Sequence, residues 1–195
     1  MKRLGIVLFL FFGLSLSSLD TIQATANSFI EGNSLIYLFA KFAVFGKFLP
    51  EPATFGNMPP ILYWLRYFFT GQPSPIGGID VFIHPVAFAG WAGLLVTALN
   101  LVPAGTLDGG HVVYSLFGEK ARKAFPFIIG LMAVLGIFWS GWWLWAFLLF
   151  WLGRVNAETL DQITQLDPKR RMVAIFVIIL FLLVFTPVPF SLLIA

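Results

Sequence analysis

The sequence predicts an all-α fold: a polytopic helical membrane protein of about five membrane passes, with interfacial or re-entrant helices beside them. Three observations carry that expectation. Of the 195 residues, 59% are hydrophobic and only 11% charged, whereas a soluble domain has about 45–50% apolar and about 25% charged residues. Mean hydropathy is +0.90, and apolar runs recur along the whole chain. A backbone in lipid must satisfy its own hydrogen bonds, which leaves helices or closed barrels, and no ten-residue alternation suggests a barrel. With 17% aromatic residues, disorder is excluded. No repeat divides the chain, so residues 1–195 are expected to form a single membrane-embedded domain.

There are no cysteines, which removes disulfides, thiolate metal sites and a catalytic thiol. The net charge of +3 reads as membrane topology. No basic stretch interleaved with aromatics points to a nucleic-acid partner.

The elements follow in order. Lys2-Arg3 and the apolar run Leu4 to Leu19 suit a retained first transmembrane helix; the competing reading is a signal peptide cleaved at Ala24-Thr25-Ala26. Residues 33–49 are apolar but carry Lys41 and Lys47, and Ser34, Tyr37 and Lys41 share one helical face, as in an interfacial helix. Four prolines make residues 50–60 irregular. Ile61 to Thr70 is a short aromatic stretch around Arg66, again interfacial in character, and Gly71 to Asp80 is a turn-rich loop.

Val81 to Val102 has the length of a full span, about 20 residues, with Ala89, Gly93 and Thr97 forming a small-residue stripe. Ala124 to Gly153 is interrupted at Ser140-Gly141. It lies between the basic clusters Lys120, Arg122, Lys123 and Arg154, Lys169, Arg170, Arg171, so it should cross twice as a hairpin, with Trp139, Trp142 and Trp143 at the far interface. Met172 to Pro187 is the last expected span.

One stretch departs from hydrophobic filler, running from Asn100 through Pro103 and Leu107-Asp108-Gly109-Gly110 to His111. Pro103 has no N–H to offer, so the helix breaks there. In lipid, Asp108 would cost about 2.5–3.5 kcal/mol and should face a partner or a metal; Asn100 also needs hydrogen-bond partners. The plainer readings stay beside these. Asp108 can cap the helix that follows, the glycines can serve a turn, and His111 can be a surface histidine.

At these residues the sequence resembles the site-2 protease family of intramembrane zinc metallopeptidases, in its bacterial and plastid branch. Asn100-x-x-Pro103 with Leu107-Asp108-Gly109 carries the resemblance, preceded by Ile83-His84-Pro85 and Ala89-Gly90-Trp91. Gly32-Asn33-Ser34 and Thr186-Pro187-Val188-Pro189 are weaker matches. The resemblance implies a catalytic zinc with Asp108 as one ligand, and Asn100 holding substrate backbone or the developing oxyanion. The remaining ligands would be the two histidines of a His-Glu-x-x-His helix, whose glutamate is the general base. It further implies a transmembrane helix of a membrane protein as substrate or partner, the lipid bilayer as surroundings, and a multi-pass location in a bacterial-type inner or plasma membrane.

The departure from the family pattern is specific. The sequence has two histidines, His84 and His111, neither followed by glutamate, and a single-helix zinc site needs a pair at i and i+4. Asp108 and His111 can share a helix face, but His84 precedes an expected span that His111 follows, which sets the two histidines on opposite sides of the membrane and weighs against a three-ligand site. His84 before Pro85 reads more simply as a helix-start residue. The expected function is thus a site-2-type zinc metalloprotease that is truncated and inactive as this chain alone. The alternative is a non-catalytic pseudoprotease acting as a helix-binding or scaffold protein. A small transporter is a third reading, weakened by the lack of a second matching helix break.

Overall fold

A computed structural model describes residues 2–22, 28–72, 78–152 and 167–193. The Ala24-Thr25-Ala26 segment, part of the 71–80 loop, Gly153 and Arg154 lie outside the described residues. The chain falls into two compact units, residues 1–96 with 186–195, and residues 97–185.

The first unit opens with α1 (Lys2–Ser15), followed by β1 (Ser18–Thr21) and β2 (Ser28–Glu31). Helices α2 (Leu35–Phe45) and α3 (Pro60–Thr70) come next, then β3 (Ile79–Phe82) and α4 (Pro85–Asn100), whose last turn belongs to the second unit. The closing strand is β4 (Phe190–Leu193). Strand β1 pairs antiparallel with β3, placing Asp20 opposite Asp80, and β2 pairs antiparallel with β4, placing Glu31 opposite Phe190. Ser34 caps α2 by accepting from the Tyr37 N–H, and Gly46 ends that helix in the left-handed conformation, where glycine carries no Cβ penalty.

Helices α1 and α4 approach at their glycines. A Cβ on Gly13 would strike the Ala87 backbone, and one on Gly90 would sit 2.6 Å from the Leu10 nitrogen. Gly93 of the small-residue stripe faces Ile6. Close backbone approach therefore explains part of that stripe.

The second unit holds α5 (Asp108–Phe117), α6 (Glu119–Leu135), α7 (Gly141–Leu152) and α8 (Pro168–Val184). Helix α5 packs on α6 and α8, and α6 on α7. Their core gathers Val102, Ala104, Met132, Leu135, Trp142, Ala146 and Leu149. Asp167 caps α8 by accepting from the Arg170 N–H at 2.7 Å, with Pro168 in the first turn, a position that needs no N–H.

The expected five-pass membrane architecture is overturned. No described helix is long and apolar enough to cross a membrane. The longest, α6 and α8, have 17 residues, about 25 Å at 1.5 Å per residue against an apolar thickness of about 30 Å. The expected runs are cut by their own punctuation. Val81 and Phe82 belong to β3, and Pro85 restarts the chain as a helix that stops at Asn100. Residues 136–140 separate α6 from α7.

Nor is the described fold purely helical, since four short strands form two ladders. Two further expectations fail with it. Lys41 of the expected interfacial helix has no solvent exposure, and Trp142, expected at an interface, is buried in the second unit's core.

Candidate functional site

The Asp108 segment begins where α4 runs out of donors. The Leu101 N–H is shared between the carbonyls of Thr97 and Ala98, and the Val102 N–H reaches the carbonyl of Leu99. Next comes Pro103, which has no N–H and cannot extend the helix. Around it the chain tightens: the Ala104 N–H donates to the Val102 carbonyl at 2.8 Å, and Gly105 takes φ +58°. Leu107 is the N-cap of α5, with extended backbone and no side-chain capping bond. Asp108 is therefore the first helical residue, not the capping residue. A carboxylate there is favoured by the helix dipole.

Gly109 and Gly110 serve close approach. A Cβ at Gly109 would run into the Leu101 and Val102 carbonyls, and one at Gly110 into the Ala104 and Gly105 carbonyls. What comes near these glycines is the protein's own preceding loop. Both residues are buried, so the loop is locked onto the start of α5 by main-chain contact.

Asn100, Asp108 and His111 are all exposed. Among the described residues the Asp108 side chain forms no hydrogen bond or ion pair. The Asn100 and His111 side chains likewise have no such partner there. His84 lies before α4 in the other unit, where its Nδ1 accepts from the Val86 N–H. No group of three His, Cys, Asp or Glu among the described residues could hold a metal ion. The described residues do not make a zinc site by themselves.

The first unit contains a polar cluster that sequence reasoning missed. Lys41 on α2, fully buried, pairs with Glu31 of β2 at 3.3 Å and Asp80 of β3 at 3.1 Å. Its ammonium also lies 4.6 Å from the centre of the Tyr37 ring. The Tyr37 hydroxyl donates to Glu31 at 2.8 Å. Asn33 donates to the Tyr67 hydroxyl at 2.8 Å and to the Leu49 carbonyl at 3.4 Å. Since a carbonyl only accepts, this fixes the Asn33 amide orientation. The Trp91 indole donates to the Gly32 carbonyl at 2.9 Å.

Burial is the largest effect on the Lys41 ammonium and pulls its pKa down, but the charges of Asp80 and Glu31 outweigh it, and the net shift is upward. Burial first, and then the neighbouring carboxylates, raise Tyr37 and Tyr67 well above the ordinary phenol value; Tyr63 is raised to about 12 by burial and then by Asp80. The signal in the sequence was the shared face of Ser34, Tyr37 and Lys41 with Glu31 just upstream. It indicated a polar face but not its burial.

The family model described as Peptidase family M50 matches residues 4–139. A relative from Arabidopsis thaliana, "Probable zinc metalloprotease EGY2, chloroplastic", is 35% identical over 182 residues, 88% of this chain and 32% of that protein. "Probable zinc metalloprotease EGY3, chloroplastic" from Oryza sativa subsp. indica is 36% identical over 104 residues, 50% of this chain and 17% of the relative. "Probable zinc metalloprotease EGY1, chloroplastic" from Arabidopsis thaliana is 33% identical over 112 residues, 55% and 20% respectively. No solved structure matches. The chain belongs to peptidase family M50, the site-2 protease family, and spans about a third of the Arabidopsis EGY2 relative. The expected bacterial-type membrane has no counterpart in these names, which all read chloroplastic.

Proposed function

We propose that this chain supplies the Asp108 segment of a site-2-type zinc metalloprotease and does not hydrolyse peptide bonds by itself. The observation that carries this reading is the exposed, unpaired Asp108 carboxylate on a turn locked by Gly109 and Gly110, inside the region that matches the family. A lone carboxylate holds zinc weakly, because a catalytic zinc takes three protein ligands. On this reading the other ligands and the general base come from a His-Glu-x-x-His segment outside this sequence. Asn100, at the end of α4, would offer its amide to substrate backbone. The substrate would be a helix of a membrane protein.

The test is zinc stoichiometry. The chain alone should hold essentially none. Mixed with a family segment carrying His-Glu-x-x-His, it should retain about one zinc per complex, and Asp108→Asn should release it. Equal zinc retention by the Asp108→Asn complex would remove Asp108 from the ligand set.

A second reading, a non-catalytic scaffold that binds helices, is supported by the lack of any three-ligand cluster among the described residues. It predicts that Asp108→Ala leaves partner capture intact, while a larger residue at Gly93, which already lies 3.0 Å from Ile6 when given a Cβ, disturbs it.

A further inference from the structure

Beside α2 and α3 lies a cavity of about 300 Å³ lined by Phe42, Phe48, Phe55 and Trp64 together with Lys47 and Glu51. Two of the lining rings form a corner. Phe48 meets Trp64 at 72° with centroids 6.3 Å apart, and Phe42 stacks behind Phe48 at 4.6 Å. Tyr63 braces both sides, edge-on to Phe55 and to Trp64 at 89° and 86°.

The two charges are placed by the backbone. Gly46 turns the chain at φ +69° just before Lys47, and Glu51 is tied to Ile79 by a reciprocal pair of main-chain bonds, each 2.8 Å. Lys47 and Glu51 presently pair with each other at 2.8 Å, both about half exposed, an arrangement weak enough to open for a ligand.

Aromatic walls meeting at steep angles beside a carboxylate attract a cation through their ring faces. A bare anion would meet those negative faces, and a bare cation would leave Lys47 displaced from Glu51 without a partner. A molecule with both charges a few ångströms apart answers both. We propose that this cavity binds a quaternary-ammonium zwitterion, its ammonium against Phe48, Phe55 and Trp64 beside Glu51 and its anionic group on Lys47. The volume suits a phosphocholine-sized molecule, whether free or as a lipid headgroup.

The experiment titrates the purified chain with phosphocholine by calorimetry, using the phosphate ester of 3,3-dimethylbutanol as the uncharged-head isostere. Phosphocholine should bind about tenfold tighter than the isostere. Lys47→Gln should weaken phosphocholine and leave tetramethylammonium unchanged, while Glu51→Gln should weaken both. Trp64→Leu should abolish binding; should that variant lose its circular-dichroism spectrum, Phe48→Leu replaces it.

Vesicles then separate the sources. Retention on phosphatidylcholine but not phosphatidylglycerol, lost in the aromatic variant, assigns a headgroup, and binding of free phosphocholine without such retention assigns a soluble zwitterion. Equal affinity for phosphocholine and its isostere, or binding of neither with no vesicle retention, overturns the proposal.

Discussion

The ammonium of Lys41 lies 3.1 Å from Oδ1 of Asp80, a residue 39 positions away, and the same ammonium reaches Glu31 at 3.3 Å. One buried cation thus ties α2 to a strand of each ladder. Asp80 is also turned inward on its own main chain, its Oδ1 accepting from the Val81 N–H at 2.8 Å.

Removing the cation alone should be severe. Lys41→Met leaves two carboxylates buried without their counter-charge, and the expected loss is about 3–5 kcal/mol, read by urea denaturation. Replacing Lys41, Glu31 and Asp80 together with apolar residues of similar volume should cost much less, because no uncompensated charge is left behind. Equal losses for the single and triple variants would show that the pairing is incidental.

Stability should fall on the alkaline side. Lys41, Tyr37 and Tyr67 all have folded pKa values raised above their ordinary ones, and Tyr63 is raised to about 12. A group raised on folding contributes stability that is complete below its unfolded pKa, about 10 for these types, and is lost as pH rises through the folded value. The unfolding midpoint should therefore hold through neutral pH and drop above about pH 10. Tyr37→Phe should make that drop shallower, as followed by circular dichroism.

Two glycines should respond in opposite directions to alanine. At Gly109 the new Cβ meets carbonyls of Leu101 and Val102, which are main-chain atoms and cannot swing aside; overpacking of this kind costs about 1–3 kcal/mol or more. At Gly130, inside α6, nothing lies within 4 Å, and alanine should add about 0.5–1 kcal/mol through helix propensity. Thermal melts of the two variants check the pair.

Asp108→Asn should leave folding untouched. The side chain is exposed and has no partner among the described residues, so the stability change should stay within about 0.5 kcal/mol. Elemental analysis should find the chain alone free of stoichiometric zinc with either residue. A metal-loaded wild type that Asp108→Asn empties would show a complete site within the chain.

The local grammar was legible. Pro103 announces the end of α4, and the Asp108 segment is where the sequence departs from hydrophobic filler. The family resemblance rested on those same residues. Lengths and partners were not legible. Hydropathy counts apolar side chains but not where the backbone stops, so a run such as Val81 to Val102 concealed both β3 and the His84-Pro85 restart. The four-residue strands are too short for alternation to register, and their pairing across the chain, β2 with β4 above all, is set by tertiary contact. Lys41 read as an interfacial lysine because its acidic partner Asp80 lies 39 positions further along.

The collar of carbonyls around Gly109 and Gly110 has a consequence for how this segment tolerates variation. Because main chain, rather than neighbouring side chains, clasps the helix start, a saturation library over residues 104–110 should tolerate many residues at exposed Thr106 and few at the two glycines. The presentation of Asp108 would then survive wide chemical change nearby, provided no methyl group is wedged into the clasp.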